Sequence, residues 1–278
     1  MILRGRLIGW SFELDRIARV LAIAREELAF RILTEEDWLE LGRSLYGGAA
    51  KYSLGSAHNE SGLFAFERAA IDEFFPPPPA SILVGACGGG RELFALVESG
   101  YCIAAAYDPV ANFVEALRKD PRLFELKDRL CIGSHQAIET MAPVAKLGRR
   151  GNQVDAVIVG WGSYTHLLGV ERRVEFLRSL RVVCPRGPVL LSFFVGTDAE
   201  ADRPARFRAR LRRLLGTTDA MVEPGDALQR AVGGVHYFTE EAFRTEVARA
   251  GYRVQRWQEH DFAAGHAILL PEPPSQGA

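Results

Sequence analysis

The chain has 278 residues, 48% of them hydrophobic and 25% charged, with a formal net charge of -1 at pH 7. That length suits one large α/β domain or a core domain with an appendage, and the balanced charge argues against a general nucleic-acid or membrane-surface binder. Its four cysteines, Cys87, Cys102, Cys131 and Cys184, are scattered without a C-x-x-C pair or metal-ligand spacing to a histidine, which implies no metal site and a reduced, cytoplasmic setting.

The N-terminus lacks the uninterrupted apolar region of a signal peptide, and no apolar run approaches the roughly 20 residues that cross a bilayer. Leu14, Ile17, Leu21, Ala24 and Leu28 are spaced by three and four, which predicts an amphipathic helix over 11–31 with charged residues on its other faces. A second helix opens after Thr34, with Glu35 and Glu36 in a first turn where the helix dipole favours anions, and ends before Gly47-Gly48. Residues 46–61 mix Gly, Ser, Asn, His and Tyr without a period and read as a loop. A third helix over 62–75 stops at the run Pro76 to Pro79, which cannot continue a helix. The prolines divide an N-terminal helical appendage (1–79) from the main domain (80–278).

Beyond them, apolar runs at 81–85, 101–107, 129–132, 155–160 and 188–195 alternate with helical patterns at 91–99, 109–119, 136–142 and 170–182. Such alternation predicts a doubly wound, mostly parallel sheet with helices on both faces. Residues 196–234 break the rhythm as an insertion. Within it, 202–216 carries Arg206, Arg210 and Arg213 on one helical face and Phe207, Leu211 and Leu214 on another, a solvated amphipathic helix. A helix over 239–250 follows. The strands 252–259 and 265–270 are joined too closely for a crossover and must pair antiparallel. Residues 271–278 read as a tail.

The most informative stretch is Ser81-Ile-Leu-Val-Gly-Ala-Cys-Gly-Gly-Gly-Arg-Glu-Leu93. A strand enters a turn at Gly85, Ala86, Cys87 and Gly88 to Gly90, and a helix leaves it. Glycines there let the backbone take φ > 0 or approach a ligand, and the first-turn N–H groups of the helix face whatever binds. Asp108 ends the next strand, eighteen positions after Gly90. A carboxylate at that place can accept both ribose hydroxyls of an adenosine, or cap the helix that opens at Pro109. After the third strand, Cys131-Ile-Gly-Ser-His-Gln136 reads as a turn with a helix cap at Ser134. After the fourth, Gly160-Trp-Gly-Ser-Tyr-Thr-His-Leu167 holds Trp161 as a wall for the cofactor, and Tyr164 and His166 as substrate or proton-transfer groups. His236 is a second candidate base.

Ile82 to Glu92 followed by Tyr107-Asp-Pro109 resembles the class I S-adenosylmethionine-dependent methyltransferases, closest to members whose first motif runs L-V-P-G-A-G-A-G-R-E. The resemblance spans about 81–270, including the terminal hairpin. It implies a seven-stranded Rossmann-like sheet closed by an antiparallel hairpin, with S-adenosylmethionine on the glycine turn and Asp108, and with the Ser134 hydroxyl or a backbone group touching the adenine where relatives often carry an acid. It further implies a methyl transfer to an O or N atom, less readily C, of a small-molecule acceptor. N-terminal helices fold over the cofactor in many such proteins, which casts Tyr46, Tyr52, His58 and Glu60 as lid residues. Ala86 stands where the first motif glycine usually sits, and Val84 where many members carry an acid. Two other readings are a non-catalytic S-adenosylmethionine-binding module and a nicotinamide-dependent oxidoreductase. The second expects G-x-G-x-x-G directly after the strand, which Cys87 and Leu93 break.

Overall fold

The computed structural model describes residues 2–149, 152–196 and 223–273, with side chains from residue 13 onward. The arginine-rich stretch 202–216 and the end of the tail lie outside the described residues.

Four helices precede the sheet. α1 (Ile2–Ile32) leads into α2 (Glu35–Gly47), which Thr34 caps: its Oγ1 accepts from Asp37 N–H while its own N–H donates to the Asp37 carboxylate at 2.7 Å. The stretch that reads as a loop contains a 3₁₀ turn (Ala50–Tyr52) and the one-turn α3 (Ala57–Glu60), and α4 (Ala65–Phe74) runs to the prolines. α1 departs from the ordinary use of an amphipathic helix. Leu14, Ile17, Leu21 and Leu28 point to solvent, whereas Glu26, Glu27 and Phe30 are buried. Phe30 packs on Trp38 of α2, and Glu26 accepts from the backbone N–H of Leu228 at 2.7 Å.

The central strands are β1 (Ser81–Gly85), β2 (Cys102–Asp108), β3 (Leu130–Ile132), β4 (Ala156–Val159) and β5 (Val189–Val195), parallel in the order β3-β2-β1-β4-β5. Helices α5 (Arg91–Glu98), α6 (Ala111–Lys119), α7 (Ala142–Leu147) and α8 (Val170–Val183) cover the two faces. Successive residues of β1 divide between the faces: Ile82 and Val84 join the core under α4 to α6, and Leu83 joins the core under α7 and α8. The chain winds outward from β1 to β3 and then crosses back to β4. This reversal leaves a crevice at the carboxyl ends of β1 and β4.

After β5 come β6 (Asp226–Gln229), β7 (Gly233–Phe238), α9 (Glu240–Arg249), β8 (Tyr252–His260) and β9 (Ala264–Pro271). β9 runs antiparallel to both β5 and β8, so the expected hairpin closes a seven-stranded sheet, β3-β2-β1-β4-β5-β9-β8. The β6–β7 ribbon is an addition to the expected pattern. β7 pairs parallel with the last two residues of β5, on the edge that β4 leaves free. The helix expected over 136–142 is displaced: a 3₁₀ turn (His135–Ala137) stands there and α7 starts only at Ala142, with Pro143 in the first turn, where its missing N–H costs no helical bond. Among the described residues no helix is long and apolar enough to cross a membrane.

Candidate active site

The glycine turn is set by contacts with β2. Gly85 sits so close to Tyr107 that a Cβ would lie 2.7 Å from the phenolic oxygen. Ala86 then adopts φ 51°, a left-handed conformation that usually asks for glycine, and Gly88 and Gly90 follow at 50° and 97°. Ala86 thus makes the turn expected of a motif glycine. Cys87 N–H donates to Tyr107 O and Gly90 N–H to Cys87 O, which closes the loop before α5. A Cβ on Gly88 would meet no atom within 4 Å: it would project into the cleft. On Gly89 it would lie 2.3 Å from Asn59 Nδ2 and 2.5 Å from Tyr52 O, because the segment 52–59 lies directly on the turn.

Asp108 is buried at the end of β2. One carboxylate oxygen accepts from Gly88 N–H and the other from Val110 N–H, each at 2.8 Å. It therefore both fixes the glycine turn and caps the approach to α6. Burial, with a smaller contribution from the Glu92 carboxylate, pushes its pKa up to about 6, against the pull of the two N–H donors. Arg91 and Glu92, at the start of α5, are equally buried. The Arg91 guanidinium forks onto Glu67 with two 2.6 Å bonds, and reaches Glu92 at 2.5 Å. Two carboxylates thus share one guanidinium, and Glu92 faces the cleft and accepts from Trp161 N–H at 3.2 Å. Sequence reading took Arg91-Glu92 only as a helix opening; its signal was an adjacent acid–base pair inside the motif.

The cleft spans ≈1210 Å³ with the solvent at its mouth included. Ala86, Cys87, Gly88, Asp108, Pro109, Ser134, Trp161 and His166 all line it. Gly85 and Gly90 shape the turn without facing the space. The N-terminal helices roof it: Trp38, Leu39, Arg43 and Tyr46 come from α2, and Tyr52, His58 and Asn59 from the segment after it. Glu60 stays outside, 3.8 Å from Arg122.

His166 ends a 3₁₀ turn (Ser163–His166) and is held at both nitrogens. Nδ1 lies 3.0 Å from Gly234 O, which can only accept, so Nδ1 carries the proton. Nε2 is left as an acceptor and takes the Tyr46 hydroxyl at 2.8 Å. Burial lowers the His166 pKa, so the ring is neutral at pH 7, and raises that of Tyr46, which keeps its proton. His135 also lines the cleft. It bonds the Tyr107 hydroxyl at 2.8 Å, and burial, with His166 nearby, lowers its pKa to about 3.

Two candidates for proton transfer stand elsewhere. Tyr164 is fully buried and donates to Glu246 at 2.6 Å; Glu246 also accepts from Arg173, which in turn pairs with Glu223 at 2.7 Å. His236 is buried against Asp226, with Nδ1 2.7 Å from the carboxylate. These groups form one polar network that ties the β6–β7 ribbon to α8 and α9 behind the cleft. Adjacency in sequence to His166 and to the helix start suggested cleft positions for both. The alternating faces of the loop and of β7 turn them inward instead.

No protein-family model matches the sequence, and no curated protein does. Among solved structures, the PH0226 protein from Pyrococcus horikoshii aligns over 82% of this chain and 99% of its own, with TM-score 0.56 and 15% identity. A SAM-dependent methyltransferase from Methanosarcina mazei aligns over 77% of this chain and 100% of its own (TM-score 0.51, 15% identity). An S-adenosylmethionine-dependent methyltransferase from Clostridium acetobutylicum aligns over 94% and 99% (TM-score 0.50, 9% identity). The chain has the class I S-adenosylmethionine-dependent methyltransferase fold.

Proposed function

We propose that the protein is an S-adenosylmethionine-dependent methyltransferase that acts on an oxygen or nitrogen of a small-molecule acceptor. The observation that carries this reading is a single roofed cleft that holds both a glycine turn pinned by Asp108 and, in the same space, the oriented Tyr46–His166 pair.

The residues fit the cofactor. Asp108 at the end of β2 accepts the ribose hydroxyls, with Ser134 after β3 on the adenine side. Gly88 keeps the floor open where a side chain would obstruct a ligand, and the first-turn N–H groups of α5 face the carboxylate. Trp161 and Glu92 mark the β4 side, where the methionine end lies. Val84 leaves no acid on β1 for its ammonium, and the Glu92 carboxylate is placed to take that role.

S-adenosylmethionine, when bound, supplies an electrophilic sulfonium methyl. The protein's work is then alignment and exclusion of water, which in favourable cases removes roughly 7–11 kcal/mol of barrier. Residues 1–79 serve as the lid over the domain of 80–278. His166 Nε2, held neutral by burial and aimed by Gly234 O, accepts the proton of an acceptor hydroxyl or amine that displaces Tyr46. An enclosed cleft roofed by α2 favours a small acceptor over a macromolecule, and neither Tyr164 nor His236 takes part.

The test is to incubate the protein with S-adenosylmethionine and a panel of phenols, carboxylic acids and amines, and to follow S-adenosylhomocysteine by mass spectrometry. Acceptor-dependent product that Asp108→Asn sharply reduces at limiting S-adenosylmethionine supports the reading. Tight S-adenosylhomocysteine binding with no turnover on any acceptor would favour the binding module.

A further inference from the structure

We propose that α1 is a dimerisation helix, and that two copies of this chain pack the apolar faces of their α1 helices together about a twofold axis. Of the ten large hydrophobic side chains that stand exposed among the described residues, six lie on this helix: Leu14, Ile17, Val20, Leu21, Leu28 and Ile32. Single exposed apolar residues are ordinary on a soluble protein, but a contiguous row marks a contact surface. Leu14 and Leu21 are 64% and 63% exposed, values found for free surface rather than for the seam of a packed helix.

The spacing identifies the kind of partner. Leu14, Ile17, Leu21, Ala24 and Leu28 alternate steps of three and four, and the same steps run back in the sequence through Trp10, Leu7 and Leu3. A repeat of 3.5 residues sustained over more than three heptads is the signature of a helix that meets another helix, not of one lying on a sheet. The helix backbone runs unbroken over the whole repeat, about 46 Å at 1.5 Å per residue. Among the described residues, its last turns are anchored in the same molecule, through Glu26 to β6 and Phe30 to Trp38 and Leu168.

Area favours a second copy as the occupant. If a second copy covered the six side chains completely, the pair would bury about 1,200 Å², the lower bound of a stable interface. A twofold axis makes the same stripe serve on both sides. The exposed polar residues of the described part of α1 carry both signs, with Glu13 and Asp15 against Arg16, Arg19, Arg25 and Arg31, whereas Glu26 and Glu27 turn into the fold. Because α1 supports Trp38, a residue of the cleft roof, pairing also braces the lid from outside.

The test is sedimentation equilibrium of the full chain at micromolar concentration. The expected mass is twice the 30.7 kDa of the chain. The variant Leu14→Glu/Leu21→Glu, altered only on the exposed stripe, should sediment as a monomer with unchanged far-ultraviolet circular dichroism. A wild-type monomer would overturn the proposal. So would a double variant that remains dimeric, which would place the interface elsewhere. Wild-type protein that floats with phosphatidylglycerol vesicles and is monomeric without them would assign the stripe to lipid and equally overturn it. These outcomes do not depend on the methyltransferase reading.

Discussion

Asp108 offers the sharpest quantitative test, because one carboxylate holds the glycine turn and, by the present account, also the ribose. Its oxygens are committed to Gly88 N–H and Val110 N–H, and its pKa in the free protein is raised to about 6. Ribose hydroxyls donate, so the ionised form is the one that binds. At pH 5 only about one eleventh of the population is ionised, so S-adenosylhomocysteine affinity should fall about tenfold between pH 8 and pH 5. Binding near pH 6 should release a proton, seen as a dependence of calorimetric heat on buffer ionisation enthalpy. The sign for stability is the reverse: a carboxyl whose pKa is raised above 3.8 stabilises the free protein most below that value, and the contribution is lost as pH rises through about 6. Asp108→Asn must turn an amide NH₂ toward one of the two backbone donors. At pH 8 it should cost about 1.5–3 kcal/mol of binding, roughly 10–150-fold, and remove the acid limb of the profile. Affinity that is flat from pH 5 to pH 8 in the wild type, or a variant that keeps the wild-type slope, would refute this role.

Other substitutions separate the parts of the site. His166→Ala should lower turnover by about 10²–10⁴-fold, with S-adenosylhomocysteine affinity within about twofold of wild type; a large loss of affinity would move His166 to the cofactor. Tyr164→Phe takes a buried donor from the Glu246 carboxylate, which still accepts from Arg173, so it should lower the stability measured by urea denaturation by about 1–3 kcal/mol without changing cofactor affinity. Gly89→Ala drives a methyl into Asn59 and the Tyr52 carbonyl, and should weaken S-adenosylhomocysteine binding more than tenfold by lifting the 52–59 segment. Glu92→Gln should reduce the affinity for S-adenosylhomocysteine by about 10-fold or more but leave that of the analogue lacking the α-amino group within twofold; equal losses for both would make Glu92 a strut for Trp161.

Much of the sheet was legible because buried parallel strands are continuous apolar runs bounded by helical patterns. Ser81–Gly85 and Val189–Val195 read directly. β7 was hidden because Gly233-Gly234 opens it: Gly234 is required where a Cβ would lie 2.8 Å from Trp38, and that packing partner is nearly 200 residues away in sequence. For the same reason periodicity gave α1 its stripe without the direction in which the stripe faces. The cofactor side of the cleft follows local order along the chain, strand then turn then acid, and so Asp108 and the glycine turn were visible. The acceptor side is assembled across the fold. Tyr46 meets His166 over 120 positions, and which histidine enters the cleft depends on bonds to the Gly234 carbonyl and the Asp226 carboxylate that no spacing encodes.

The central claim, that the Asp108-pinned glycine turn is an S-adenosylmethionine site, is tested most directly by isothermal titration at pH 8 with S-adenosylhomocysteine and, separately, with NADH. The account predicts saturable binding of one S-adenosylhomocysteine per chain, weakened roughly 10–150-fold in Asp108→Asn, and no heat from NADH. Saturable NADH binding with no heat from S-adenosylhomocysteine would contradict it.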